Sequence, residues 1–527
     1  MTPHDPSSTS RDRRCTWLVG AAAGALLSVG VPFGIPSSAG IAGALRVLDG
    51  GWPCRDFWTI YAPGHFWLLA GLFALFGRQL LVAALAAVVL EAAACALFFR
   101  LLRRLDVERR FAALAALAFA GTLLKTAPTL TTYPPLLVAG LLGITRTIAA
   151  AATPTRRNAL MAGAWFGVAA WFKHDVAAYL AVAACAGLAA ATARRPRREV
   201  ATAAGFFAAG AVAAALPVAL LLAAAGGRDA WNDLVVFPLT DFPTTRPQTY
   251  PMLVESWRAS VGASRRVGAL LEWVRHWMPV WTWLVLLATT WRRRSVSSPA
   301  RLAAAVAALV ALPLFFAAAH VQINTHILSM GAVVIGALAV EWPTRPARVA
   351  AALLCAAALA NAPARMLARA VDVARTGRTI DVPGAAGIVA SAREAGEVEV
   401  VARLVRELTA PGEPIYVGVA RHDAVVISRP ELYLLFDRPC ATRYAELHPG
   451  IVDREEVQRE IQADLDRRRV RVVVLWHVGW SDDRFDEIRA QRRRLLPGTG
   501  ATLLDDALQR DFAQVAQFGE LEVRVRR

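Results

Sequence analysis

Charge is scarce in this chain, and so are cysteine and any sign of repetition. Of its 527 residues 19% are charged and 56% hydrophobic, with a mean hydropathy of +0.41. Soluble domains carry about 25% charged residues, so an ordinary soluble enzyme is excluded. The six cysteines are scattered. Cys15, Cys95, Cys185 and Cys355 fall in or beside apolar runs without metal-ligand spacing, which excludes a cysteine-built metal centre or a disulfide scaffold. Only Cys54 and Cys440 share an expected aqueous side, leaving one disulfide between them open. No internal repeat is visible, nor any low-complexity segment beyond alanine enrichment. Paired halves, which many transporters show, are therefore missing.

What is present is apolar and basic. Lys and Arg total 58 against 41 Asp and Glu, a net charge of +17. With no aromatic-and-basic RNA-binding pattern beside it, this excess points to cytoplasmic loops and the lipid bilayer, with no nucleic acid as partner. Apolar stretches of spanning length occur at 17–35, 79–99, 111–128, 133–152, 158–172, 176–193, 200–226, 277–291, 302–319, 327–342 and 347–363. They predict a polytopic α-helical membrane protein with about eleven transmembrane helices. The first run follows Arg11, Arg13 and Arg14 and has no clear small-residue cleavage site, so it reads as a retained anchor after a cytoplasmic tail, 1–16. Pro63 to Phe76 lies too close to the next run for an easy second crossing and reads as an interfacial or re-entrant helix.

The arginines give the orientation. Arg11 to Arg14, Arg100 to Arg110, Arg156 and Arg157, Arg194 to Arg198, Arg292 to Arg301, and Arg345 with Arg348 fall on one set of turns, which the positive-inside rule makes cytoplasmic. The other side receives the loop 36–62, the turn Pro128 to Tyr133, Lys173-His174-Asp175, the loop 227–276 and His320 to His326. Beyond about Ala364 the apolar runs shorten. Ile415 to Val419, Val470 to Trp476 and Glu520 to Val525 read as strands, and Val400 to Leu408 and Asp453 to Arg469 as amphipathic helices. The expected organisation is a transmembrane domain over 17–363, a linker over 364–389, and an extracytoplasmic α/β domain over 390–527 in a multi-pass protein of the cell (plasma or inner) membrane.

The distinctive polar chemistry sits in the first outer loop, Arg46-Val47-Leu48-Asp49-Gly50-Gly51-Trp52-Pro53-Cys54-Arg55-Asp56-Phe57, continued by Tyr61-Ala62-Pro63-Gly64-His65-Phe66-Trp67. This segment resembles the first outer loop of GT-C membrane glycosyltransferases related to glycosyltransferase family 39 and the dolichyl-phosphate-mannose protein mannosyltransferases. Glu431-Leu432-Tyr433 and Thr442-Arg443-Tyr444 also look like bacterial members. The resemblance implies transfer of a sugar from a polyprenyl-phosphate donor to a glycan, lipid or protein acceptor outside the cytoplasm, by direct displacement at the anomeric carbon. That reaction needs a carboxylate for the acceptor's proton and cations for the departing phosphate.

Asp56 is the first candidate for the carboxylate and Asp49 the second; Asp56 bound to Arg55, or capping the next helix, is the structural alternative. Such enzymes usually carry an Asp-Glu pair at the start of this loop, where Pro36-Ser37 stands here, so the base has moved or the protein is a divergent, non-catalytic relative. Arg55 and Tyr61 join the substrate-binding set. Lys173 is expected to hold the lipid phosphate with His174 and Asp175 beside it, or else these residues snorkel and cap. Lys125, near the outer end of a helix, is a second phosphate ligand or a snorkelling residue. Arg246, with Arg258, Arg265 and Arg266, suits a pyrophosphate or anionic headgroups. His320 and His326, six apart with no nearby carboxylate, are read as acceptor or carrier contacts, not as metal ligands. No metal site is assigned; among relatives a divalent cation is used by some and not by others. A transporter or flippase is the rival reading.

Overall fold

The computed structural model describes residues 6–241, 298–317, 370–425 and 428–527, together with Arg266, Trp283, Leu284, Leu287, Leu367 and Ala368. Alanine and leucine dominate the first part, and both favour helix, the form in which a chain satisfies its own backbone in a bilayer. Nine main helices follow one another: α1 (Pro6–Ser28), α2 (Ala39–Leu48), α3 (Gly64–Phe76), α4 (Leu80–Arg104), α5 (Arg109–Leu123), α6 (Tyr133–Ala152), α7 (Arg156–Ala170), α8 (His174–Thr192) and α9 (Arg197–Ala225). A further helix runs Pro299–Ala317.

Four of them, α4, α6, α8 and α9, are long and apolar enough to cross a membrane. The expected spans 111–128 and 158–172 appear instead as α5 and α7, of 15 residues each. At 1.5 Å per residue they reach about 22 Å, short of a hydrocarbon core of about 30 Å. The expected spans at 277–291, 327–342 and 347–363 lie wholly or almost wholly outside the described residues. The helices approach closely through glycine: a Cβ on Gly163 of α7 would lie 1.8 Å from the Phe207 carbonyl of α9, and one on Gly210 would lie 2.0 Å from that of Leu160.

The loop 36–62 is not wholly irregular, because α2 forms inside it. Ile41, Ala42 and Ala44 give that helix an apolar stripe, buried in one cluster with Leu69 and Phe73 of α3 and Leu80 and Ala83 of α4. The helix ends at Asp49, and Gly50 follows with φ 87°.

The C-terminal segment carries a four-stranded sheet of order β3-β4-β6-β5, from β3 (Tyr416–Val419), β4 (Val472–Trp476), β5 (Phe512–Phe518) and β6 (Leu521–Arg526). β3 and β4 are parallel, and the other pairs antiparallel. Alternation along β4 decides its two faces. Val472 and Val474 meet Val398, Val401 and Val405 of the helix Ala392–Leu408, whereas Val473 and Leu475 meet Ile461, Leu465, Leu504 and Leu508. The first of these layers belongs to the same buried cluster as α2, α3 and the start of α4, so sheet and helical bundle share a core.

Part of the expected linker is ordered too. Gly377–Thr379 (β1) and Val389–Ser391 (β2) form a hairpin, and Val389 exchanges backbone hydrogen bonds with Pro32 (2.6 Å) and Gly34 (2.7 Å). Cys54 and Cys440 are both buried free thiols, so the disulfide left open by the sequence does not form. Cys440 instead donates to the Thr442 carbonyl at 3.3 Å.

Candidate functional site

The first-loop motif folds into a turn closed by its own atoms. Cys54, at φ 65°, donates its amide to the Phe57 carbonyl at 2.8 Å, and the Asp56 amide reaches the Trp52 carbonyl at 2.9 Å. Asp56 accepts from the Trp52 amide at 2.8 Å and pairs with Arg55 at 2.7 Å. The Arg55 hydrogen bond and the Trp52 amide hold the Asp56 carboxyl below the usual range, which weakens it as a base. Arg46 ties this turn to the C-terminal segment, donating to the Asp56 carbonyl (2.6 Å) and the Cys440 carbonyl (3.0 Å). Trp58 donates its amide to Arg443, and the Arg443 guanidinium returns to the Cys54 carbonyl at 3.2 Å.

Asp49 faces elsewhere. It pairs with Arg78 at 3.2 Å on the wall of a cavity of about 640 Å³ shared with Arg406, Asp437 and Arg438.

A second cavity, of about 240 Å³, collects residues from four parts of the chain. Ser37, Ser38 and Gly40 come from the start of α2, Tyr61 and His65 from the loop end, Thr131 to Tyr133 from the start of α6, and Ser428, Glu446 and His448 from the C-terminal segment. Gly64 makes the junction possible: its amide donates to the Trp171 carbonyl at 2.7 Å, and a Cβ there would lie 2.5 Å from that oxygen. The contact brings Tyr61 and His65 beside the turn that leads into Lys173.

Lys173 is 7% exposed and pairs with Asp175 at 3.1 Å. Its charge acts on buried His65, and that of Asp175 on Tyr133, so both belong to the electrostatic surroundings of this cavity. His174 bonds through Nε2 to the Leu234 carbonyl at 2.7 Å, and its buried Nδ1 has no hydrogen-bond partner among the described residues. Beside it the short helical stretch 227–240 presents Asp233, whose carboxyl burial pushes up to about 7, with Asp229 adding to the shift and Arg443 opposing it. Trp58, Phe237, Tyr444 and His448 pack their rings together over this region.

Of the residues singled out in the sequence, Tyr61 lines this cavity, and Lys173 and Asp175 act on its wall residues His65 and Tyr133 without lining it themselves. Arg55, Asp56 and Asp49 line no wall of the 240 Å³ cavity. Lys125 follows the end of α5 at Leu123 and pairs at 3.2 Å with Glu91, which is buried in α4. Arg246, Arg258, Arg265, His320 and His326 lie outside the described residues.

No chemical role was assigned from the sequence to His65, Tyr133, Glu431, Glu446 or His448, although His65 and Glu431 lie inside the quoted motifs. One signal was available for the cations: Lys125 and Lys173 are the chain's only two lysines among 58 basic residues. Among the described residues no three His, Cys, Asp or Glu side chains gather as a metal site.

A helical membrane bundle and a docked C-terminal segment thus enclose a polar cavity. Residues 61–222 match the family model of dolichyl-phosphate-mannose-protein mannosyltransferase. No curated protein sequence matches the chain. ArnT from Cupriavidus metallidurans bound to undecaprenyl phosphate superposes with a TM-score of 0.53 at 12% identity, over 96% of this chain and 97% of that one. The Archaeoglobus fulgidus oligosaccharyltransferase in its apo form gives 0.51 at 13% identity, over 88% of this chain and 69% of its own. The chain is thus similar to the GT-C membrane glycosyltransferases, with the fold in common.

Proposed function

We propose that the protein is a membrane glycosyltransferase that moves a sugar from a polyprenyl-phosphate donor to a hydroxyl of a glycan, lipid or protein acceptor. One observation carries this reading: the family-matched segment 61–222 supplies Tyr61, His65, Thr131, Thr132 and Tyr133 to the walls of a single polar cavity, with the charges of Lys173 and Asp175 acting on His65 and Tyr133 from behind. The ArnT neighbour bound to undecaprenyl phosphate supports a donor of that class.

In this reading the acceptor oxygen attacks the anomeric carbon, the bond to phosphate oxygen breaks, and polyprenyl phosphate departs with the electron pair. Lys173 supplies a point charge to the phosphate, and Asp175 fixes where the ammonium sits. Asp56 and Asp49, the carboxylates first suggested by the loop, stand away from the walls of the 240 Å³ cavity, so the base is sought nearer to it. Lys125, Arg246, His320 and His326 remain proposed contacts for the carrier or acceptor. The arginine pattern supports a cytoplasmic N-terminus and a segment 390–527 outside.

The test uses the full chain in nanodiscs with a panel of undecaprenyl-phosphate hexoses and pentoses, scoring release of undecaprenyl phosphate and a glycosylated acceptor. Translocation of labelled lipid across the bilayer, with no sugar release, supports the transporter reading instead.

A further inference from the structure

Ser37 stands where the first loop's resemblance leads one to expect acid, yet a carboxylate is present at that point in space. Ser37 Oγ donates to Glu431 Oε2 at 2.6 Å, across 394 positions of sequence. That separation lies in the short range of hydrogen bonds to an ionised oxygen. Glu431 is 1% exposed, and its other oxygen accepts from Arg429 Nε at 2.8 Å. A buried carboxylate is costly unless it is paired and hydrogen-bonded, and here both oxygens are engaged. Arg429 is held in turn: its guanidinium lies 5.9 Å from the Trp476 ring centre and 3.5 Å from Glu394.

The geometry is one-sided. Ser37 is exposed and lines the 240 Å³ cavity, whereas Glu431 is hidden behind it. A serine hydroxyl has one proton to give and two lone pairs to accept with. Its proton is directed at Glu431, which leaves oxygen lone pairs for a group in the cavity.

We propose that Ser37 and Glu431 form a proton relay, with Ser37 touching the acceptor and Glu431 taking the proton at its far end. The proposal rests on the glycosyltransferase reading above. As the acceptor oxygen bonds to the anomeric carbon, its proton passes to Ser37 Oγ while the Ser37 proton passes to Glu431 Oε2. The sugar–phosphate bond breaks with its electrons on the leaving phosphate, and Glu431 later returns its proton through Ser37 to water in the cavity. Arg429 is a positioning residue that balances the Glu431 charge. The C-terminal segment thus contributes to the reaction, because Glu431 reaches Ser37 only when residues 428–431 are docked on α2.

The experiment compares Ser37→Ala, Ser37→Thr and Glu431→Gln as full chains in nanodiscs, with undecaprenyl-phosphate sugars as donors and undecaprenyl phosphate binding as the check on folding. Ser37→Ala and Glu431→Gln are expected to lower kcat by about 100-fold or more, with donor KM and undecaprenyl phosphate binding retained. Ser37→Thr, which keeps the hydroxyl, is expected to stay within about tenfold of the parent. Should Glu431→Gln fail to bind undecaprenyl phosphate, Ser37→Ala decides by itself, since it alters an exposed side chain. Parental kcat in Ser37→Ala, or a 100-fold loss of kcat in Glu446→Gln with Glu431→Gln at the parental value, overturns the relay while leaving the transferase reading intact. A parent chain that turns over no donor overturns the transferase reading itself.

Discussion

Asp56 and Asp175 are both carboxylates within two residues of a cation, in turns next to apolar helices, and the fold treats them differently. The Arg55–Asp56 pair is half open to solvent, with side chains 50% and 37% exposed, and it closes a turn through the Trp52 amide. The Lys173 and Asp175 side chains are 9% and 24% exposed and sit among His65, Tyr133 and the Leu234 carbonyl. Water screens the first pair and pulls its energy toward zero, whereas the second keeps most of its field. A charge that acts on a substrate phosphate must be of the second kind.

Substitutions at these two turns are expected to diverge. Lys173→Gln removes the buried cation and should lower kcat/KM for an undecaprenyl-phosphate sugar by about 100-fold or more, measured with the chain still folded in nanodiscs. Near-parental turnover breaks the contrast at its root. Asp175→Asn leaves Lys173 without its counter-charge, for a loss of about 3 kcal/mol, read as a lower unfolding midpoint in detergent together with weaker activity.

Asp233 sharpens the comparison through pH. Burial raises its carboxyl from 3.8 to about 7, so across that window the folded chain holds a proton that the unfolded chain has released. Stability therefore falls as pH rises between about 4 and 7, and Asp233→Asn should flatten that fall. Thermal midpoints of parent and variant at pH 5 and pH 8 check it; a parental slope in the variant removes the assignment. The smallest effect is expected for Asp56→Asn. With its carboxyl already held low by Arg55 and exposed to solvent, turnover should stay within about threefold of the parent. A loss of activity as large as that of Lys173→Gln would reverse the order of the two turns.

How much of this was legible beforehand varies by residue. The apolar runs behind α4, α6, α8 and α9 announce themselves because a bilayer demands about 20 consecutive apolar residues. β4 is readable for a similar reason, since a strand buried on both faces is a continuous run such as Val472-Val473-Val474-Leu475. The helix α2 was harder to see: at ten residues its apolar stripe is brief, and it is stabilised by α3 and α4. Asp56 looked like a site because acid among aromatics is conspicuous, and nothing local reveals that Trp52 and Arg55 already occupy it. Glu431 was the opposite case. It lay inside a motif noted only for its likeness, and its partner Ser37 is 394 positions away.

The sequence by itself therefore determined the membrane class, the basic turns and the Lys173-His174-Asp175 cluster, because hydropathy, charge and residue identity are local properties that survive without a fold. Only the tertiary structure decided which carboxylates meet the cavity. That choice depends on Gly64 letting the loop touch Trp171 and on the C-terminal segment docking against α2, contacts between residues remote in sequence whose burial fixes their charge environment.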